Sequence, residues 1–375
     1  MTLRVGVIGG GQLARMMIPP AIELGIEIRV LAEAEGMSAA LAATAVGDYT
    51  DLPTVLAFAR EVDVVTFDHE HVPQAVLRGL VEAGVAVHPG PDALQYAQDK
   101  LLMRSRLASL GVPVPVWASV SDAPALDAFL ADNGGRAVVK TARGGYDGKG
   151  VRVVSSSSEV ADWFSALASG EALLVEELVD FRRELSQLVA RRPSGDVTLW
   201  PVVESTQRDG VCAEVLAPAP GGSSRLAPVA AQIGTTIAES LGVTGVLAVE
   251  LFETVDGRIL VNELAMRPHN TGHWTIDGST TSQFEQHLRA VLDLPFGATG
   301  HTAPWSVMVN ILGGPASGDL DTPLRAAAAA HPTAKLHLYG KPPRPGRKIG
   351  HVTASGEELD EVAYVARAAA AAFDS

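Results

Sequence analysis

Short apolar runs alternate with helix-like segments over residues 1–90. The runs predicted to form strands are "LRVGVI" at 3–8, "IEIRVLAE" at 26–33, "VDVVTF" at 62–67 and "VAVH" at 85–88. The stretches "GGGQLARMM" and "MSAALAATA" between them have the composition of helices. Because strands that alternate with helices form parallel sheets, this pattern predicts an N-terminal Rossmann-like α/β domain over residues 1–95.

The pattern changes after this domain. "DKLLMRSRLASLG" predicts a capped helix that ends at Gly111, and two further helices are expected near 124–131 and 226–241. "RAVVK" and "VRVV" predict strands on either side of a glycine-rich loop. "EALLVEELVDF" and "RRELSQLVARR" favour a pair of antiparallel strands with a short connection.

The remaining pattern suggests a hairpin and then a small final domain. "VTGVLAVELFET" and "ILVNELAMRP" flank "VDGR" as the arms of a β-hairpin. "SVMVNIL" and "AKLHLYG" predict further strands, and an alanine-rich helix closes the chain. We expect a central domain over residues 96–297, with a lid subdomain at about 112–176, and a mostly β C-terminal domain over 298–375.

Composition narrows the class of protein. The 375 residues are 47% hydrophobic and 19% charged, as in ordinary globular proteins of two or three domains. The net charge of −14 argues against a general nucleic-acid or anionic-membrane binder. No signal peptide and no apolar run of membrane-spanning length are evident, so we expect a cytoplasmic protein. With Cys212 as the single cysteine, neither an internal disulfide nor a cysteine-based metal cluster can form.

Lysine is scarce, which makes each lysine informative. The chain has six, at 100, 140, 149, 335, 341 and 348, whereas arginine supplies the other basic residues. A lysine can mark a place that needs a compact point charge, such as a phosphate site. Scatter through compositional bias is the alternative.

The first predicted turn resembles a dinucleotide fingerprint. Gly9, Gly11 and Ala14 form G-x-G-x-x-A between a strand and a helix, and Glu33 ends the next strand. This context is typical of NAD sites. The alternative is a tight turn whose helix N-terminus receives another anion, such as a substrate phosphate.

The predicted hairpin carries a candidate metal site. A turn centred on Asp256-Gly257 places residues opposite each other when their numbers sum to 513, so Glu250 faces Glu263. Two facing carboxylates destabilise a sheet unless a cation lies between them. Mg²⁺ prefers such oxygen ligands, and Asn262 could add an amide oxygen. An exposed pair or an arginine-bridged pair is the alternative.

The loop "KTARGGYDGKG" at 140–150 suggests an anion site. Its glycines allow backbone N–H groups to approach an anion closely, and Lys140 and Lys149 add point charges. A mobile lid over a triphosphate fits this composition, although the Walker sequence is absent. A plain glycine-rich turn is the alternative.

These motifs occur in an order that resembles a known family. "GGGQLARMM", "TFDHEHV", "KTARGGYDGKG", "VEELVDFRREL", "APAP", "VNELAMRPHNTGH" and "YGKPPRPGRKIGHV" extend from end to end of the chain. Together they resemble the ATP-grasp superfamily and, within it, the 5-(carboxyamino)imidazole ribonucleotide synthetases. The resemblance implies a Rossmann-like N-terminal domain, a central ATP-grasp domain with a mobile glycine-rich lid, and a small C-terminal domain.

The resemblance implies a nucleotide site with a divalent metal. Glu250 and Glu263 would bind Mg²⁺, with Mn²⁺ as a possible substitute, and ATP would be the co-substrate. "EELV" would be the adenine-binding hinge. The ATP-binding residues implied are Lys100, Lys140, Gly145, Tyr146, Asp147, Gly148, Lys149, Gly150, Glu176, Glu177, Leu178, Val179, Glu184, Gln207, Asn262 and Glu263. Gln207 stands where this family commonly has histidine.

The implied reaction is the carboxylation of an amine. ATP and bicarbonate would give carboxyphosphate, whose carboxyl group passes to the exocyclic amine of aminoimidazole ribonucleotide, directly or through released CO₂. The catalytic residues implied are Arg267, His269, Asn270, Tyr146 and Asp147. The substrate-binding residues implied are Gly11, Gln12, Leu13, Glu70, Lys341, Arg347 and Lys348. Asp68 stands where glutamate is more usual.

The resemblance also implies partners and excludes cofactors. We expect no NAD, no biotin, no nucleic acid and no membrane, since the N-terminal turn would serve the substrate phosphate and a biotin-attachment motif is absent. A homodimer is expected, and the product would pass to a separate mutase. The alternative functions are a formate-dependent glycinamide ribonucleotide transformylase, which shares the ATP and metal sites, and an NAD-binding oxidoreductase or nucleotide sensor.

Overall fold

The N-terminal part forms the predicted parallel sheet. The structure, a computed structural model, describes residues 2–145, 149–222 and 225–374. The elements up to residue 109 are β1 (Arg4–Ile8), α1 (Gln12–Glu23), β2 (Glu27–Ala32), β3 (Ala43–Val46), α2 (Leu52–Ala59), β4 (Val64–Phe67), α3 (Gln74–Glu82), α4 (Pro91–Gln98) and α5 (Lys100–Ser109). Within the described residues the sheet has the order β3-β2-β1-β4, with all neighbours parallel.

Two local predictions in this domain were wrong. The segment 37–45 was expected to be a helix, but it forms a single 3₁₀ turn at Ala40–Ala42 followed by the edge strand β3. Pairing with β2 outweighs the helix propensity of a short alanine-rich run, because propensity is a weak preference beside tertiary contacts. The predicted strand 85–88 is reduced to one parallel bridge between Val65 and Val87.

The central part divides between a small sheet and a large one. Its elements are β5 (Trp117–Val120), α6 (Ala123–Asp132), β6 (Ala137–Thr141), β7 (Val151–Val154), α7 (Ala161–Ala166), β8 (Leu173–Glu177), β9 (Phe181–Arg191), β10 (Val197–Leu199), β11 (Val203–Arg208), β12 (Val211–Ala217), α8 (Leu226–Ser240), β13 (Gly245–Thr254), β14 (Ile259–Ala265), α9 (Thr275–Gly278) and α10 (Gln283–Val291). In the described residues, β5-β8-β6-β7 form a separate antiparallel lid sheet with its own apolar core.

The predicted pairing of residues 171–181 with 182–192 was wrong. β8 lies in the lid sheet between β5 and β6, whereas β9 lies in the large sheet beside β13 and β11. Residues 178–180 therefore connect two sheets instead of closing a hairpin. This connection overlaps the second half of the segment "EELV" at 176–179, which the family resemblance identifies as a hinge, whereas Glu176 and Glu177 end β8.

The C-terminal part continues the large sheet. Its elements are β15 (Trp305–Leu312), α11 (Asp321–Ala330), β16 (Lys335–Leu338), β17 (Lys348–Gly356) and α12 (Leu359–Ala371). Among the described residues, the nine-stranded sheet has the order β14-β13-β9-β11-β12-β15-β17-β16, with β10 paired to β9. Because β12 pairs with β15, the hairpin β13–β14 and strand β17 belong to one continuous sheet, with β9, β11, β12 and β15 between β13 and β17. Within the described ranges, no helix has the length and apolar character needed to cross a membrane.

A buried histidine ties the N-terminal sheet to the metal hairpin. His287 on α10 is fully buried. Its Nδ1 accepts a bond from the Val246 N–H at 3.0 Å, so the proton resides on Nε2, which donates to Thr66 Oγ1 at 2.8 Å. Burial, with a smaller contribution from His88, lowers the pKa of His287 to about 3. The neutral ring thus joins the ends of β4 and β13.

We predict that His287 makes stability fall with acidity. Unfolded histidine titrates near pH 6.5, roughly, so between that pH and about 3 the unfolded chain binds one proton more than the folded chain. The contribution is complete above the unfolded pKa and is lost as pH falls, by about 1.4 kcal/mol per pH unit. In His287→Gln, the slope of unfolding free energy against pH, measured by urea denaturation, should be smaller by this amount. Thr66→Val should keep the wild-type slope at lower stability, and equal slopes for wild type and His287→Gln would contradict the prediction.

Candidate active site

One cavity of ≈ 1680 Å³ brings together most of the predicted site residues. Residues from the N-terminal domain, the lid sheet, the large sheet and the basic C-terminal segment all line it. The predicted residues in its wall are Gly11, Gln12, Leu13, Glu70, Lys100, Lys140, Gly145, Lys149, Glu176, Glu177, Leu178, Val179, Glu184, Gln207, Glu250, Asn262, Glu263, Arg267, His269, Asn270, Lys341, Arg347 and Lys348. Gly150 is not in the wall, and Tyr146, Asp147 and Gly148 lie outside the described residues.

The dinucleotide-like turn is occupied by carboxylates of the chain itself. Asp68 Oδ1 accepts the Ala14 N–H at 2.7 Å at the start of α1, and Glu33 Oε2 accepts the Gly10 N–H at 2.9 Å. A Cβ atom on Gly11 would overlap the Asp68 carboxylate. The fingerprint therefore arises here because the turn must fit an internal carboxylate, and Glu33 is already engaged where a cofactor ribose would need it.

The pKa values at this turn follow from these contacts. The His69 ring and the Gly10 N–H lower the pKa of Glu33 to about 2. Burial raises the pKa of Asp68, although the Ala14 N–H opposes this effect. Both carboxylates are fixed structural groups, which leaves the N–H groups of residues 11–13 as candidate donors to a ligand.

The metal hairpin has the predicted register on the side of Glu250 that lies away from the turn, but the turn itself differs from the predicted one. Ala248 pairs with Ala265 and Val249 with Leu264, for which the residue numbers sum to 513. Nearer the turn the sum is 512, because the loop has three residues and closes between Thr254 and Arg258. The register shifts at Glu250, where a bulge sets Asn262 and Glu263 against this one residue. A bulge redirects side chains, and all three line the cavity.

The carboxylate pair fits a divalent cation. Burial, reinforced by repulsion from Glu263, raises the pKa of Glu250 to about 8. A group with such a pKa binds a proton or a cation at neutral pH. Among the described residues, no three His, Cys, Asp or Glu side chains form a complete ligand set. A sparse oxygen site of this kind suits Mg²⁺ that completes its shell with phosphates and water.

Lysines from two elements approach the pair. Lys140 Nζ lies 3.9 Å and Lys100 Nζ 4.0 Å from Glu263 Oε1. Lys140 also pairs with Glu176 Oε2 at 2.9 Å and donates to Asn262 Oδ1 at 3.1 Å. The amide oxygen that could have served as a metal ligand is thus engaged by Lys140.

The end of the cavity beside residues 178–180 combines apolar side chains with acidic ones. Phe181 stacks on Phe252 with ring centroids 4.7 Å apart beside the hinge. Burial raises the pKa of Glu184, which accepts a bond from the Gln207 N–H. The contact of Gln207 with Glu184 is therefore through its backbone, so the replacement of the usual histidine leaves this bond in place.

The catalytic candidates lie between the metal pair and the basic segment. His269 Nε2 is 3.3 Å from Glu250 Oε1, and Arg267 Nε donates to Glu70 Oε2 at 2.7 Å. Burial, with Arg267 and Lys348, lowers the pKa of His269 well below its ordinary value, so the ring is neutral. Lys341 Nζ donates to Gln12 Oε1 at 2.7 Å and thereby joins the C-terminal segment to the N-terminal turn.

Sequence reasoning missed the residue that holds the His269 loop. Gln283, fully buried at the start of α10, accepts the His269 N–H at 2.8 Å and donates to the His269 carbonyl at 2.7 Å. It also donates to His273 Nδ1 at 3.0 Å. The sequence does indicate where α10 begins, because Ser282 is an N-cap residue. The bond between Gln283 and His269 spans fourteen residues, however, and such a contact produces no local sequence pattern. The stacking of Phe181 and Phe252 was missed for the same reason.

We predict that Gly11→Ala selectively impairs the side of the cavity lined by the N-terminal turn, where the family resemblance implies that the ribonucleotide binds. The new Cβ would displace the Asp68 carboxylate from the Ala14 N–H and distort the turn that lines the cavity. The KM for aminoimidazole ribonucleotide should rise about tenfold or more, corresponding to about 1.4 kcal/mol or more, while the KM for ATP changes little. Gly300→Ala, where a Cβ meets open space, is the matched control. Equal increases in both KM values would contradict this division of the cavity.

Comparisons with known proteins agree with this geometry. Three family models match in order: the ribonucleotide synthetase preATP-grasp domain over residues 1–98, the ATP-grasp domain over 105–284 and the phosphoribosylaminoimidazole carboxylase C-terminal domain over 306–364. The domain boundaries expected from the sequence remain predictions.

Several N5-carboxyaminoimidazole ribonucleotide synthases match nearly the whole chain. The N5-carboxyaminoimidazole ribonucleotide synthase of Mycobacterium tuberculosis is 51% identical over 371 residues, which cover 98% of this chain and 86% of that protein. The Thermus thermophilus enzyme structure has a TM-score of 0.87 at 36% identity and covers 98% of both chains. The Aspergillus clavatus structure, in complex with ADP and 5-aminoimidazole ribonucleotide, has a TM-score of 0.89 at 30% identity and covers 100% of this chain and 99% of that one. This chain therefore belongs to the N5-carboxyaminoimidazole ribonucleotide synthase family of ATP-grasp ligases.

Proposed function

We propose that this chain uses ATP and bicarbonate to carboxylate the exocyclic amine of 5-aminoimidazole ribonucleotide, as a ligase of purine biosynthesis. The observation that carries the proposal is the single cavity that joins the Glu250–Glu263 pair to the basic segment at 341–348. Phosphoryl transfer needs a metal site such as the carboxylate pair, and binding of a phosphorylated acceptor needs cations such as those of the basic segment. The family membership supplies the identity of that acceptor.

At the nucleotide end of the cavity, lysine side chains position the phosphates of ATP, and apolar side chains contact its adenine. Lys100 and Lys140 provide ammonium groups beside Glu263, and the hinge and the stacked Phe181 and Phe252 form an apolar wall for adenine. A bound Mg²⁺ or Mn²⁺ would neutralise the Glu250–Glu263 pair and hold phosphate oxygens there. Such positioning supplies most of the catalysis in phosphoryl transfer, because the reacting groups need little covalent assistance.

At the carboxylation end, cations receive an anhydride and a ribonucleotide phosphate. Arg267 has one nitrogen fixed by Glu70, which aims the guanidinium plane next to the neutral His269. His269 accepts the Thr271 N–H with its side chain, so the other ring nitrogen, Nε2, carries the proton of the neutral imidazole and can donate it to Glu250 or to an oxygen of the anhydride. Lys341, Arg347 and Lys348 lie in the same wall, close to the N–H groups of the N-terminal turn, and we propose that they bind the 5′-phosphate.

ADP release tests the reaction. Purified protein with Mg·ATP and bicarbonate should release ADP slowly, and 5-aminoimidazole ribonucleotide should stimulate the rate strongly. Glu263→Gln should lower the stimulated rate on the order of 100-fold, because the metal site loses one of two carboxylates. Glu239→Gln, which removes an exposed carboxylate at the end of α8, should keep the wild-type rate. Stimulation by formate and glycinamide ribonucleotide instead would keep the fold and replace the substrate, and no ATP turnover under either condition would refute the proposal.

We also propose the setting in which this reaction takes place. The family resemblance supports a homodimer, a cytoplasmic location and a separate mutase that consumes the carboxylated product. A sedimentation-equilibrium mass of twice the chain mass would support the dimer. A monomer mass at micromolar concentration would refute it.

A further inference from the structure

A buried arginine stands behind the nucleotide site without forming part of its wall. Arg104 lies on α5, one turn after Lys100, and is 0% exposed. Its Nε donates to Glu176 Oε1, and its Nη2 donates to the Asn262 carbonyl at 2.6 Å. Arg104 is absent from the residues that line the cavity, whereas both of its partners belong to them.

Both partners of Arg104 are also partners of Lys140, which in addition lies 3.9 Å from Glu263 Oε1. The Lys140 ammonium is 2.9 Å from Glu176 Oε2 and 3.1 Å from Asn262 Oδ1. One Glu176 oxygen is thus held by Arg104 and the other by Lys140, and Asn262 gives its carbonyl to one cation and its amide oxygen to the other. Four elements, α5, β6, β8 and β14, meet at this point.

The sharing of Glu176 decides how firmly Lys140 is held. Two cations beside one carboxylate leave a net positive charge, so the Lys140 ammonium retains attraction for a further anion such as a phosphate. Without the Arg104 charge, Glu176 would be a buried carboxylate neutralised by Lys140 alone. The ammonium would then be drawn to Glu176, and its attraction for a phosphate would be cancelled locally.

The bond to Asn262 acts on the metal hairpin. The Asn262 carbonyl belongs to the bulge that sets Asn262 and Glu263 against Glu250. A bulge leaves a residue without its ladder bonds, so an outside donor is needed to fix its orientation. The Nη2 group of Arg104 is such a donor, and it acts one residue before Glu263.

We propose that Arg104 is a positioning residue for ATP and its metal: its charge balances Glu176 so that Lys140 serves the phosphates, and its second arm fixes the bulge that presents Glu263. Packing alone would not select it, because a buried arginine must lose its hydration and an apolar side chain would fill the site at lower cost. Its neighbours Met103 and Leu107 on α5 are buried apolar residues of that kind. The inference rests on the proposed nucleotide half-reaction.

The two roles can be separated by substitution. Arg104→Met removes both the charge and the second arm, whereas Arg104→Lys restores a charge beside Glu176 with a single donor group. In Arg104→Met the KM for Mg·ATP and the Kd for Mg·ADP should rise on the order of 10- to 100-fold, while the KM for 5-aminoimidazole ribonucleotide stays within about twofold. Arg104→Lys should recover most of the ATP affinity and still need a higher Mg²⁺ concentration for half-maximal rate.

The matched control is Arg191→Met, which removes a partly buried arginine of β9 that bonds the Val243 carbonyl outside the cavity. It should lower the melting temperature without changing the KM for Mg·ATP. The proposal would be overturned if Arg104→Met raised the KM for Mg·ATP and the KM for 5-aminoimidazole ribonucleotide in parallel. It would also be overturned if both Arg104→Lys and Arg104→Met lowered stability and left ATP affinity unchanged. If Arg104→Met does not fold, wild-type ATP affinity and wild-type Mg²⁺ requirement in Arg104→Lys would overturn it alone. Failure of the wild type to release ADP would refute the proposed function itself.

Discussion

Repulsion between two partly buried carboxylates on neighbouring strands is the constraint around which the cavity is built. Glu250 and Glu263 come from a hairpin whose other residues are mostly apolar, and burial together with repulsion from Glu263 raises the pKa of Glu250. Two lysines from separate elements place positive charge beside this pair: Lys100 is the first residue of α5, and Lys140 lies near the end of β6 in the lid sheet. The lid, the helix and the hairpin are thereby tied to one point, which a divalent cation and a triphosphate would bridge more completely.

The N-terminal domain shows the same dependence on placed carboxylates. Asp68 occupies the helix N-terminus that a cofactor phosphate would use in a dinucleotide-binding protein, and Gly11 is required because that carboxylate lies against its backbone. The turn, held by these bonds, forms part of the cavity wall. His287 then joins β4 to β13 through its two ring nitrogens, which links the N-terminal sheet to the metal hairpin.

What the sequence predicted follows from local rules, and what it missed depends on distant contacts. The helix α5 was predictable because Asp99 caps it, and the side chain accepts the N–H groups of Leu101 and Leu102 at 3.0 Å. The facing of Glu250 and Glu263 was predicted from a two-residue turn, although the turn has three residues and the bulge restores the register. The longer turn and the bulge change the register in opposite directions, so their effects cancel. Neither feature can be recognised from the turn sequence.

The errors of prediction have a common physical cause. Strands β8 and β9 have the alternating pattern of a hairpin, but sheet membership is decided by their neighbours β6 and β13. Residues 178–180 could not be identified as a connection between sheets from their own composition. Gln283 and Arg104 were missed likewise, since each acts through polar contacts to segments far along the chain.

The distribution of lysine explains how an acidic protein can bind several anions. The net charge is −14, yet five of the six lysines, all except Lys335, line the one cavity. A compact ammonium group on a flexible stem suits phosphate and adapts to a ligand that changes during the reaction, whereas the arginines at Glu70 and Glu176 are fixed by their carboxylates. In the described part of the chain, the same wall also carries nine aspartate and glutamate side chains against ten lysines and arginines, so the cavity is close to neutral in a chain whose net charge is −14. Binding of ATP and a ribonucleotide phosphate therefore depends on where individual ammonium and guanidinium groups lie, because the carboxylates of the wall are paired with several of them.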